Sequence, residues 1–463
     1  MKENSKNHGL NGLQDNTNIQ NHGLKRLKDY TEKKSIKKSV KSVQSEKSVM
    51  QTINWPTKKL DEVCDFLNGL WTGKEPPYIK VGVIRNTNFT KEGKLDDSDI
   101  AYLKVEKDKF EKRKLAYGDI ILEKSGGGPK QPVGRVVIFD KQDGNFSFSN
   151  FTSVIRIKNP SKLDFNFLYK FLFFSYISGI TESMQRRSTG IRNLQLKEYK
   201  QIQIPLPPLP EQRRIVKILD EVFEKTAKAK ENAEKNLQNS KELFESYLQS
   251  VFSNEKLKVK NEKWEKKRLV DVFQIKPPKK EAKEKLKNNG LVSFVPMEYL
   301  QKMSKEFTCN KERKLKDVSG SYTYFANEDV LLAKITPCFE NGKLGIARNL
   351  KNGIGFGSSE YIVFRSNGEV VPDYLYYFLA RNQFREEGAK RMSGAVGHKR
   401  VSKEFIENTE MPFPLLPQQH NIVAKLDKLS AETKKLEAIY RQKLADLEEL
   451  KKSVLKSAFA GKL

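Results

Sequence analysis

The chain has 463 residues, room for two or three ordinary domains rather than one. Its 86 Lys and Arg against 58 Asp and Glu leave a net charge of +28, and 37% hydrophobic residues can still build cores. Whole-chain disorder is thereby excluded, and the charge points to a polyanionic partner.

The cysteines Cys64, Cys309 and Cys338 are an odd set without metal-ligand spacing, which fits a reducing cytoplasm better than a disulfide-stapled fold. His8, His22, His398 and His420 lie too far apart to suggest a shared metal. No uninterrupted apolar run reaches spanning length, so no membrane association is expected.

Residues 1–50 are rich in Lys, Asn, Ser and Gln, and repeat Asn-His-Gly-Leu at Asn7 and Asn21. They read as a disordered or loosely attached extension. From 51 to 209, short β-type runs alternate with Gly-, Asn- and Asp-rich turns; strands are expected at 119–122, 134–139 and 152–157, and an aromatic helix at 165–177. Residues 210–253 contain no internal proline or glycine and read as one long helix. The pattern then recurs. Residues 254–416 form a second α+β domain, with strands at 329–332 and 360–364 and a helix at 373–385, and 417–463 supply a second long helix.

The recurrence is an internal repeat at an offset of about 207–210 residues. Asp119 and Lys124 match Asp329 and Lys334, and Ser149 through Arg156 match Ser358 through Arg365. Pro207-Pro208-Leu209-Pro210-Glu211-Gln212 matches Pro414-Leu415-Leu416-Pro417-Gln418-Gln419. Pro210 and Pro417 stand where a helix starts, a position that needs no amide hydrogen. In the first helix Leu219, Val222, Leu243 and Tyr247 belong to a heptad; in the second, Leu426, Leu429, Leu436, Leu447 and Leu450 do. The expectation is a coiled-coil pair about 65 Å long, although heptads alone give no direction.

Charge divides along the same boundaries. Net charge is +8 over 51–209 and +10 over 254–416, but zero over 210–253 and +3 over 417–459. Two polyanion-binding heads on a weakly charged spacer would show this division. Within each head, one loop combines guanidinium, amide and glycine. In the first copy these are Arg186, Arg187, Thr189, Arg192 and Asn193; in the second, Lys390, Arg391, His398, Lys399 and Arg400. Guanidinium groups engage phosphates or guanine, and Asn pairs with adenine. A solvated basic turn is the plainer alternative. A second candidate is the turn from Lys124 to Lys130, with Gly126, Gly127 and Gly128 between them and Lys334 opening its counterpart. It could cradle phosphate or be a flexible hairpin tip.

Signals of catalysis are missing: there is no phosphate-binding loop and no Asn-Pro-Pro-aromatic tetrapeptide. Asp119 and Asp329 recur without a partner acid and read as structural. Gly353-Ile354-Gly355-Phe356-Gly357 lacks dinucleotide-binding spacing and reads as a turn leading into the next strand.

The duplicated architecture, the Gly118-Asp119-Ile120-Ile121-Leu122 run and Ile204-Pro205-Leu206-Pro207-Pro208-Leu209-Pro210-Glu211-Gln212 opening a long helix resemble the specificity subunit of a type I DNA restriction–modification enzyme. So does the closing Leu455-Lys456-Ser457-Ala458-Phe459-Ala460-Gly461-Lys462-Leu463. The resemblance implies an α+β fold of two target recognition domains separated by long helices in an antiparallel coiled coil. Each domain would read half of a bipartite site in double-stranded DNA, while the helices fix the spacer. It also implies docking of two methyltransferase subunits and of restriction subunits; S-adenosylmethionine, ATP and Mg2+ would belong to those partners, and this chain would be non-catalytic and cytoplasmic. A methylation-only system and a coiled-coil scaffold with RNA- or protein-binding heads are the alternatives. Gln418 in place of Glu211 departs from the helix-start signature, and residues 1–50 have no counterpart in it.

Overall fold

A computed structural model describes residues 55–128, 131–188, 191–253, 264–287, 289–308 and 311–463; the extension expected at 1–50 lies outside them. The chain divides into two compact units, Met1–Lys228 with Leu447–Leu463, and Ala229–Asp446.

In the first unit, an antiparallel sheet has the order Cys64–Asn68, Thr152–Ile157, Ile120–Glu123, Val136–Ile138, the last three rich in β-branched residues. Both faces are covered, which is why Ile120–Leu122 and Val136–Ile138 read as continuous apolar runs instead of alternating ones. Ile120, Leu122, Val136 and Ile155 face a core shared with the aromatic helix Phe165–Ile177, whereas Ile121, Val137 and Val154 face another with Ile84, Phe89 and Phe148. That helix begins where the Asp164 carboxylate accepts from the amides of Asn166 and Phe167. A second sheet orders Ala101–Glu106, Tyr78–Ile84 and Phe146–Phe148, the last two parallel.

The second unit repeats this plan. Phe273–Ile275, Tyr361–Ser366, Val330–Ala333 and Leu344–Ile346 form its four-stranded sheet, again between two cores. Its other sheet runs Glu312–Lys314, Leu291–Val295, Ile354–Gly357, Thr323–Ala326. The glycine-alternating segment is therefore a strand and not the expected turn. A Cβ at Gly355 would fall 2.1 Å from the Phe325 ring and one at Gly357 2.4 Å from the Val295 carbonyl oxygen, so close packing within the sheet demands the glycines. The helix expected at 373–385 is likewise two helices, Pro372–Ala380 and Asn382–Lys390. Arg381 between them is extended, its Nε donates to the Phe378 carbonyl, and its guanidinium lies over the Phe378 and Phe252 rings.

The long helices run Leu209–Phe252 and Leu416–Phe459, 44 residues each, beginning at equivalent places. Gln212 and Gln419 fasten these starts. Each is buried; its amide donates to the carbonyl five residues back (Pro207 or Pro414) and to that of Lys162 or Glu369. Its oxygen accepts from the amide of Asp164 or Val371. Gln418 in place of Glu211 therefore removes nothing from the attachment, because the neighbouring glutamine carries it in both copies.

Along the second helix every seventh residue is buried: Leu426, Thr433, Tyr440 and Leu447. Leu219, Ala233 and Ser240 are buried on the first. Val222, Tyr247, Leu429, Leu436 and Leu450 are half-buried. Leu243 is 40% exposed, and Phe244 takes the buried place, its ring 6.4 Å from that of Tyr377. Within the first unit the helix segments are antiparallel: Arg214 donates to the Leu463 carbonyl, whereas Phe223, further along, lies under the Lys451 ammonium.

Candidate nucleic-acid interface

The two loops singled out in the first copy lie together. Gln185–Ser188 and Ile191–Leu194 form an antiparallel hairpin, and the second strand pairs with Ser125–Gly127. Ser125–Gly127, in the glycine turn, is thus an edge strand of a three-stranded sheet, and Gly128 pairs with Gln131 beyond it. Gly126 has φ +95°, and a Cβ there would lie 2.8 Å from Asn86 Nδ2, so glycine is needed for the backbone and for the approach. Beneath it, the buried carboxylate of Glu123 accepts from Arg135 Nε and one terminal nitrogen at 2.8 Å each. Arg135 donates further to the carbonyls of Phe89 and Asn86. Its bonds go to Glu123 and to backbone carbonyls, so it holds the turn's base and is almost wholly buried.

On this sheet Asn193 Oδ1 accepts from Ser125 Oγ at 2.5 Å, and the exposed Arg186 donates to Gln195 Oε1 at 2.7 Å. Arg192 is half-buried. The Lys124 amide and that of Ser125 both donate to the Phe151 carbonyl, and partial burial lowers the Lys124 ammonium pKa. Lys130 and Thr189 lie outside the described residues, as does the side chain of Arg187, whose backbone pairs with Arg192.

The second copy has the same juxtaposition. Met392–Ser393 pairs with Arg400–Val401, Arg400 bridges to Ile335, and the Val401 amide donates to the Lys334 carbonyl. In the first copy the Leu194 amide donates to Lys124 and Asn193 pairs with Ser125. Arg400 is therefore the structural counterpart of Asn193, and Lys399 that of Arg192.

Arg400 Nε and one terminal nitrogen donate to the Glu360 carboxylate at 2.9 and 2.7 Å, and the other terminal nitrogen donates to the His398 carbonyl. Lys334 Nζ lies 4.0 Å from Glu360. The Arg400 guanidinium, followed by weaker Lys334 attraction, holds the Glu360 carboxyl below its ordinary range. His398 and Lys399 are exposed. Lys390 and Arg391 fall before the hairpin strands. Lys390 ends the helix Asn382–Lys390, where a cation suits the dipole; Arg391 donates to the Glu387 carbonyl and lies over Phe405.

Sequence reading missed Glu360 and Phe151. Both sit at one place in the repeat, beside Tyr361 and Thr152, which pair with Ala333 and Glu123. The available signal was the difference between copies there. Asp119 and Asp329 are confirmed as structural: each caps its own turn through the Ala116 or Ala326 amide and receives a two-point contact from Arg156 or Arg365. Among the described residues no group of three or more His, Cys, Asp or Glu could hold a metal ion, and no helix is long and apolar enough to cross a membrane.

Fold and site together define an α+β protein of two like-built units, each with one basic hairpin, and two long helices. Residues 52–238 and 261–446 each match the type I restriction modification DNA specificity domain, and the chain belongs to that family. It is 40% identical over 150 residues to the specificity subunit of the type I restriction enzyme EcoAI of Escherichia coli, covering 32% of this chain and 25% of that one. The putative MjaX specificity subunit of Methanocaldococcus jannaschii is 22% identical over 424 residues, covering 89% and 94%. The match to EcoAI, like that to EcoEI of Escherichia coli, spans only about a quarter of the relative. Among solved structures, a chain described for assembly and conformational transition of the type I R-M system superposes with TM-score 0.67 at 21% identity, covering 88% of this chain and 98% of its own. The HsdS subunit from Thermoanaerobacter tengcongensis gives 0.57 at 20%, covering 91% and 100%.

Proposed function

We propose that the chain is the sequence-specific DNA-binding specificity subunit of a type I restriction–modification complex, each unit reading one half of a bipartite target. The observation that carries this reading is the double occurrence of one arrangement: a basic hairpin joined to a lysine-opened turn, in equivalent places of both units. The hairpin cations Arg186, Arg187, Arg192 and Lys399 contact phosphates and hold register; Asn193 and Arg400 reach base edges. Lys124 and Lys334 add charge at the turns. The long helices set the unspecified spacer and dock two methyltransferase subunits, to which restriction subunits add. Those partners use S-adenosylmethionine, ATP and Mg2+, and the cytoplasmic complex works through them, this chain being its recognition component. The names of the relatives support the reading, as does the gathering of charge in the heads.

Methylome sequencing of a host carrying the chain tests it. Arg192→Ala is expected to weaken methylation through the first half-site only, and Lys399→Ala through the second only. Both variants altering both half-sites equally would refute the division of labour. Removing one heptad from both helices is expected to change the spacer or abolish methylation, and an unchanged spacer would refute the spacing role.

A further inference from the structure

The two heads are built alike, so their chemical differences at equivalent places bear on how they read different bases. Two such places adjoin. One is Asn193 in the first unit and Arg400 in the second, each paired to the residue after the turn lysine. The other is Phe151 and Glu360, each preceding the strand beside that turn. In the first unit the Phe151 backbone is fixed, its carbonyl accepting from two amides and the next residue closing a turn onto Ser149. The residue is 47% exposed, and the nearest edge of its ring is 3.6 Å from where a Cβ on Gly126 would be. In the second unit Glu360 at that place grips Arg400.

We propose that these paired positions make the first unit a reader of an A·T pair and the second a reader of a G·C pair. This rests on the DNA-recognition reading and deepens it. The amide of Asn193 offers the donor and acceptor that adenine N7 and N6 require. Ser125 donates to its oxygen, which holds the amide on the sheet and leaves a second lone pair on that oxygen. Phe151, next to Gly126 of the strand that pairs with Asn193, supplies an apolar face for the thymine methyl of the same pair. Arg400 spends Nε and one hydrogen from each terminal nitrogen on Glu360 and His398. Each terminal nitrogen keeps a second hydrogen, the two donors that guanine O6 and N7 accept. Glu360 is thus a positioning residue: it sets the plane of the guanidinium without touching the base.

The experiment is selection of bound DNA from a library randomised at both half-sites, using the complete methyltransferase complex containing wild-type or variant chain. Asn193→Ala and Phe151→Ala are expected to lose preference roughly tenfold at one A·T position of the first half-site. Arg400→Ala and Glu360→Gln are expected to lose it at one G·C position of the second. In each case the untouched half-site remains fully selected, which shows that the variant is folded and assembled. As an independent readout, replacing the thymine by uracil at the first position should weaken wild-type binding about fourfold and the Phe151→Ala complex not at all. Loss at a pair of the other kind, unchanged preferences, or equal uracil sensitivity in both complexes would overturn the inference. A wild-type complex that selects no sequence would instead overturn the DNA-recognition reading beneath it.

Discussion

At the scale of single residues, the duplicated glutamines are the clearest case of one side chain replacing a loop's missing backbone partners. Gln212→Ala strips the Pro207 and Lys162 carbonyls and the Asp164 amide of their partner at a buried site. The expected cost is roughly 1–3 kcal/mol, read by urea unfolding. Glu211→Ala next to it removes only a pair with Arg214 near the surface and should cost under about 1 kcal/mol. Cys64 gives a pH prediction. Burial pushes its thiol from 9.0 up to about 12. Because the folded value lies above the unfolded one, its contribution is fully present below about pH 9 and is lost as pH rises towards 12. Alkylation followed by peptide mapping at pH 8 should leave Cys64 unmodified in the folded chain and label it once urea is added.

At the scale of elements, the heptad was legible because it depends only on spacing; both long helices begin within a residue of expectation, the first ends at Phe252 and the second at Phe459, short of the expected 463. Its phase was not legible throughout. Near its end the first helix packs its Phe244 against the aromatic helix of the second unit, so the buried stripe moves from Leu243 to Phe244. Phe244→Ala should therefore destabilise the second unit by about 3–5 kcal/mol, and Leu243→Ala by about 0.5 kcal/mol or less, compared by denaturant titration. The Ile354–Gly357 strand was read as a turn because alternating glycines normally mark one. What overrides that preference is the Phe325 ring, which comes from a strand distant in sequence. The hairpins were legible as basic loops, but their pairing with the lysine turns was not, since it joins segments about 65 residues apart.

At the scale of the whole molecule, the charge division predicts how binding depends on salt. Lys399→Ala should lower the slope of log affinity against log salt by about 0.9, the share of one phosphate contact. Asn193→Ala should weaken specific binding and leave the slope unchanged; titrations at several salt concentrations distinguish them. The repeat was legible as architecture because each copy retains its own Pro-Gln helix start and Asp–Arg pair.

One feature of the division into units has a temporal side. The second unit is a single stretch, Ala229–Asp446, but the first is completed by Leu447–Leu463. Leu455 and Ala458 are fully buried in its core, and Phe459 packs on Phe167, Phe171 and Phe174. During synthesis the head made first must wait for a segment made more than 200 residues later, while the second can close as soon as its own residues emerge. The first head is therefore complete only once Leu447–Leu463 has been made, and until then the places of Leu455, Ala458 and Phe459 in its core are unfilled.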